Sequence, residues 1–72
     1  MAKSVRKPRW QASTVIGEYR AYARNSRQEI IVRIEKVGDD TKYAEWGMPK
    51  YMGLNSAMSQ AVTQTRPEDI KE

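Results

Sequence analysis

A chain of 72 residues with no Cys and no His has room for one small domain and no second core. Lacking both residue types, it cannot build disulfides, zinc sites of the usual ligands, or Cys and His nucleophile and base chemistry, which removes most enzyme classes. The net charge of +4 is uneven: residues 1 to 12 hold Lys3, Arg6, Lys7 and Arg9 with no acid, residues 13 to 65 seven basic against six acidic side chains, and residues 66 to 72 two against three.

Met1 to Ala12, with Pro8, the four cations and Trp10, follows neither a helical nor a strand period and reads as a flexible basic arm. From Val15 to Arg24 the pattern alternates. Val15, Gly17, Tyr19, Ala21 and Ala23 fall on one side and Ile16, Glu18, Arg20, Tyr22 and Arg24 on the other, which predicts a half-buried strand. Asn25 to Gln28 has turn composition. Alternation resumes over Glu29 to Val37 with Ile30, Val32 and Ile34 on the apolar side, so the two strands are expected to form a hairpin. Gly38-Asp39-Asp40 signals a second turn, and Thr41 to Trp46 a third strand.

Pro49 disfavours further ladder pairing, so Gly47 to Gly53 reads as a connecting loop. Asn55 or Ser56 can then cap a helix in which Leu54, Met58, Ala61 and Val62 form one apolar stripe. Pro67 ends it, and the acidic residues 66 to 72 read as a disordered tail.

The expected fold is therefore α+β: a three-stranded antiparallel meander followed by one short helix, β-β-β-α, over residues 13 to 65, with the arm at 1 to 12 and the tail at 66 to 72. Its core would hold Val15, Tyr19, Ala21, Ile30, Val32, Ile34, Trp46, Leu54, Met58, Ala61 and Val62. So small a core predicts low stability, with more gained on binding a partner. The longest wholly apolar run is Ile30-Ile31-Val32 and the N-terminus has no apolar signal segment, so a cytoplasmic protein is expected.

Three constellations carry binding chemistry. The arm offers Lys3, Arg6, Lys7, Arg9 and Trp10, cations plus a stackable ring suited to phosphates and bases or to an acidic protein patch. Trp46, Met48, Tyr51 and Met52 crowd one short segment with the side chains that dominate protein interfaces. A lid over the open end of the core explains the same residues. On the outer side of the sheet, Arg20, Tyr22, Arg24 and Arg33 form a basic and aromatic set, although Glu18 and Glu35 share that side as in ordinary cross-strand ion pairs. No phosphate-loop, metal or catalytic motif competes, and no cofactor is expected.

In layout the chain resembles the small regulatory proteins that lytic phages make to seize host RNA polymerase: a basic arm ending in Trp10, a minimal sheet-and-helix body, a segment from Met48 to Met52 and an acidic end. That resemblance implies a non-enzymatic inhibitor or modulator of transcription that binds polymerase subunits in the host cytoplasm, and it assigns no residue a role. Arm and Met-rich segment would then grip the partner through Trp10, Trp46, Tyr51 and Met52. The β-β-β-α order also looks like the small DNA-reading domains of some phage integrases, which implies DNA contacts from Arg20, Tyr22, Arg24 and Arg33 with the arm on the backbone. RNA ranks behind both, because neither long strand carries a ribonucleoprotein-type aromatic signature.

Overall fold

The structure is a computed structural model and describes residues 10–71. These residues hold four strands, β1 (Ala12–Ile16), β2 (Tyr19–Asn25), β3 (Ile30–Lys36) and β4 (Asp39–Met48), then a single α-helix, α1 (Leu54–Gln64). Short 3-10 turns at Lys50–Met52 and Pro67–Asp69 flank the helix. The strands form one antiparallel sheet in the order β1-β2-β3-β4, and α1 packs against β1, β2 and β3. The expected α+β class is present, with four strands where the sequence pattern predicted three.

The extra strand comes from one glycine. Val15 to Arg24 alternates in sequence as a single strand would, but Gly17 has φ 60° and, with Glu18, forms a two-residue turn that sets Ile16 opposite Tyr19. Glycine takes that conformation without steric cost. The turn reverses the parity of β1, because residues paired across strands share a face. Ile16 therefore joins Tyr19 on the inner side, while Val15 pairs with Arg20 on the outer side. Val15, expected in the core, is 51% exposed.

The other two connections follow local chemistry. Between β2 and β3 the turn is Ser26–Glu29, closed by the Ser26 N–H and hydroxyl, both donating to the Glu29 carbonyl at 2.8 Å. Between β3 and β4 the turn is Val37–Gly38, with Gly38 at φ 93°. There the register shifts: Glu35 faces Tyr43, whereas the next residue, Lys36, faces Asp39. The added residues form a bulge, which the Asp39 carboxylate fixes by accepting the Thr41 hydroxyl at 2.6 Å and the Thr41 N–H at 3.1 Å.

The inner face is built from small residues under a small-residue helix. One cross-strand row runs Ala12, Ala23, Val32, Trp46 and the next Thr14, Ala21, Ile34, Ala44. Ala57 and Ala61 of α1 are fully buried against this face with Met58. Alanine on both sides lets helix and sheet approach closely, so a 72-residue chain closes a core around Ile30, Val32, Ile34 and Met58, its largest fully buried side chains.

Helix α1 starts two residues earlier than a cap at Asn55 requires, and three earlier than one at Ser56. Gly53, at φ 81°, holds the cap position, and its carbonyl accepts the Ala57 N–H at 3.0 Å. Residues 66 to 71 also depart from the expected disordered tail. Pro67–Asp69 makes a 3-10 turn, Ile70 packs on the core, and Lys71 exchanges backbone hydrogen bonds with Tyr43 at 2.8 and 3.0 Å. The edge of β4 supplies the pairing groups that a composition-based reading of the acidic end overlooks. No helix among the described residues is long and apolar enough to cross a membrane.

Candidate binding face on the open side of the sheet

With α1 covering one face, the other stays open, and the register fixes what it presents. Ser13, Tyr22, Arg33 and Glu45 form one cross-strand row, Val15, Arg20, Glu35 and Tyr43 the next, and Arg24, Ile31 and Gly47 a third. The carboxylate of Glu29 lies over Gly47, where any side chain would collide with it. Three arginines, Arg20, Arg24 and Arg33, thus share the face with three acids, Glu29, Glu35 and Glu45.

The aromatic and guanidinium groups on this face stack on one another. Trp10 lies on Tyr22 with ring centroids 5.7 Å apart and planes 30° from parallel. The Arg24 guanidinium sits over the Trp10 ring at 5.8 Å, and that of Arg33 over Tyr43 at 4.0 Å. Such contacts draw a cation to the electron-rich ring face. Arg33 also donates from Nε to the Glu35 carboxylate at 2.8 Å, and the pair is largely buried, with the Glu35 side chain 5% exposed. Arg33 is therefore held in place and neutralised, whereas Arg20 and Arg24 have no ion-pair partner among the described residues.

Trp10 is held there by its neighbour. Gln11 donates its backbone N–H to Ala23 at 2.8 Å, and its side-chain carbonyl accepts the Asn25 N–H at 2.7 Å. The arm read over residues 1 to 12 thus gives way by Gln11 to chain fixed on β2. Lys3, Arg6, Lys7 and Arg9 lie outside the described residues. Two donors in the stack, Trp10 Nε1 and Arg24 Nε, are buried without a hydrogen-bond partner, and they are the two such side-chain atoms among the described residues.

The segment expected to form a second grip divides differently. Met48 is buried at 6% exposure and belongs to the core, because position 48 has the inward parity of β4. Trp46 is half-buried on the same inner side and hydrogen-bonded to Thr65, so it joins sheet to helix. Met52 is half-buried against the core. Tyr51 alone of the four stands out, at 90% exposure. Trp46, Met48, Tyr51 and Met52 therefore form no common exposed patch. The lid explanation fits the first, second and fourth.

Sequence reasoning placed Arg20, Tyr22, Arg24 and Arg33 on one face, and the structure brings them together with Trp10. It did not connect Trp10 to Tyr22, because that contact depends on the Gly17 turn folding β1 back along β2. A Gly-Glu pair amid alternating residues was the available signal. Among the described residues no group of three or more His, Cys, Asp or Glu is placed to hold a metal ion. Comparison with known proteins finds no family model, no curated protein and no solved structure that matches the chain.

Proposed function

We propose that the chain is a non-catalytic, cytoplasmic binding protein whose ligand is nucleic acid, taken by the open sheet face together with the basic arm. One observation carries the reading: Trp10, which directly follows the four cations of the arm, is stacked on Tyr22 with Arg24 above it. This supports the reading in which the sheet face contacts the bases and the arm the backbone, since the last of the arm's named residues lies on that face. The parts suit the ligand: cations for phosphates, and flat rings with guanidinium planes for bases.

Salt tests this. Each phosphate neutralised releases counterions, so log K falls against log salt with a slope of about −0.7 per contact on a single strand and about −0.9 on a duplex. Four arm cations plus Arg20 and Arg24 predict a slope of roughly −4 to −5. A flat response, or no binding at low salt, overturns the proposal.

Tyr51, at 90% exposure, gives a second reading its own support. An exposed tyrosine is a common interface anchor, which suits a regulator that grips a protein such as bacterial RNA polymerase. That version predicts that the protein as bait captures polymerase subunits from bacterial lysate and that Tyr51→Ala loses them. Recovery of no subunits by the unaltered protein removes it.

A further inference from the structure

Resting on the nucleic-acid reading, we infer that the sheet face takes a single strand, with bases stacked on the Trp10–Tyr22 and Tyr43–Arg33 platforms, and does not enter a duplex groove.

Width argues first. Neighbouring strands lie about 4.7–4.9 Å apart, so the backbones of four strands span roughly 14 Å before side chains are added. The major groove is about 12 Å wide and admits a helix or a two-stranded ribbon. A four-stranded sheet meets a duplex as a plate too wide for the groove. A single strand has no such limit and can lie across the strands.

Charge argues next. A face that reads a groove lies between two phosphate walls, yet here Glu29, Glu35 and Glu45 balance Arg20, Arg24 and Arg33, and Glu35 already holds Arg33. A near-neutral centre suits bases, which stack on any flat ring and carry no charge. Arg20 and Arg24, without an ion-pair partner among the described residues, remain to meet the phosphates of a strand lying across the face.

The third observation is the stacking itself. Trp10 lies on Tyr22 with ring centroids 5.7 Å apart, and the Arg33 guanidinium lies over Tyr43 at 4.0 Å. Unpaired bases can splay out to stack on such rings and guanidinium planes, which bases held inside a duplex cannot do. The ligand class is therefore an unpaired nucleic-acid strand, DNA or RNA.

The test is fluorescence anisotropy of the full chain with labelled oligonucleotides of about 20 units, longer than the roughly 4–16 nucleotides that small single-strand domains cover. The probes are oligothymidylate, oligouridylate and a mixed-sequence DNA duplex, at one salt concentration. At least one single strand is expected to bind about tenfold or more tighter than the duplex. The two strand types separate DNA from RNA ligands. Trp10→Ala is expected to weaken single-strand binding at least about fivefold, the lower end for one base stack, while Trp10→Phe, which keeps a ring, retains most of it. Melting curves of both variants confirm that they are folded, and Tyr43→Ala provides an independent loss at the second platform. Duplex binding equal to or tighter than single-strand binding overturns the inference and leaves nucleic-acid binding standing. Preferred single-strand binding that neither Trp10→Ala nor Tyr43→Ala weakens also overturns it. Binding to none of the probes removes the parent reading as well.

Discussion

The indole N–H of Trp46 donates to the Thr65 hydroxyl at 2.9 Å, and that hydroxyl donates onward to the Ala61 carbonyl at 2.6 Å. This relay joins β4 to the last turn of α1 and satisfies a carbonyl that the helix end would otherwise leave free. Thr65 is 8% exposed, so its loss is felt in a dry setting. Thr65→Val, which keeps the shape and leaves the Trp46 N–H unpaired, is expected to cost about 1–3 kcal/mol in urea denaturation. Oligonucleotide binding should stay unchanged. A variant as stable as the parent would mean that this link does not hold sheet and helix together.

The reversed parity of β1 predicts opposite outcomes at adjacent positions. Val15→Thr, on the outer side, should change stability by no more than about 0.5 kcal/mol. Ile16→Thr, on the inner side, should lose more than about 1 kcal/mol through lost burial and a hydroxyl turned inward. Equal effects, or the reverse order, would restore a single strand running through Gly17. In the core, Ile34 is fully buried, and Ile34→Ala should cost about 2–5 kcal/mol.

That pair of residues also marks how far the sequence could be read. Alternation identified the inner residues Ala21, Ala23, Ile30, Val32 and Ile34 correctly, because period 2 is enforced wherever one face is buried. Helix α1 was legible from its stripe, since Met58 and Ala61 recur at the spacing of one helical face. Neither pattern contains the Gly17 turn, whose parity change is invisible until the strands pair. Met48 was misjudged for a related reason: beside Pro49 it looked like loop, yet β4 extends to it and turns it inward. Of the candidate site, the sheet face was legible as a set of residues, whereas its stacking with Trp10 depends on a contact across two strands.

Glu35 restrains Arg33 and adds a negative charge to the centre of the face. Glu35→Gln, nearly the same shape, should act in two directions. It should lower stability by about 1–3 kcal/mol, because a largely buried guanidinium loses its counter-charge. It should also tighten oligonucleotide binding several-fold, because the face becomes one charge more positive. A variant with weaker binding at unchanged stability would contradict the assigned pair.

Asp39 supplies a pH prediction that tests the β4 bulge. The Thr41 hydroxyl, then the Thr41 backbone N–H, hydrogen-bond its carboxylate and hold its pKa below the usual carboxylate range. A lowered folded-state pKa contributes stability that is present above the unfolded value and is lost as pH falls through the folded one. The window therefore lies in acid, below about pH 4. A carboxyl NMR titration should place the Asp39 midpoint under that of an unstructured aspartate, and Thr41→Val should raise it. An ordinary midpoint in the parent protein would mean that the bulge does not form in solution.

The binding face itself is tested most directly by the emission of Trp10. The sequence holds two tryptophans, so in Trp46→Phe the indole signal comes from Trp10 alone. Titrating that variant with single-stranded oligonucleotide should quench the emission to a plateau, and raising salt from about 50 to about 200 mM should reverse the quench. Emission that stays unchanged while anisotropy reports a bound strand would contradict the assignment of this face, and the absence of binding at low salt would contradict the function.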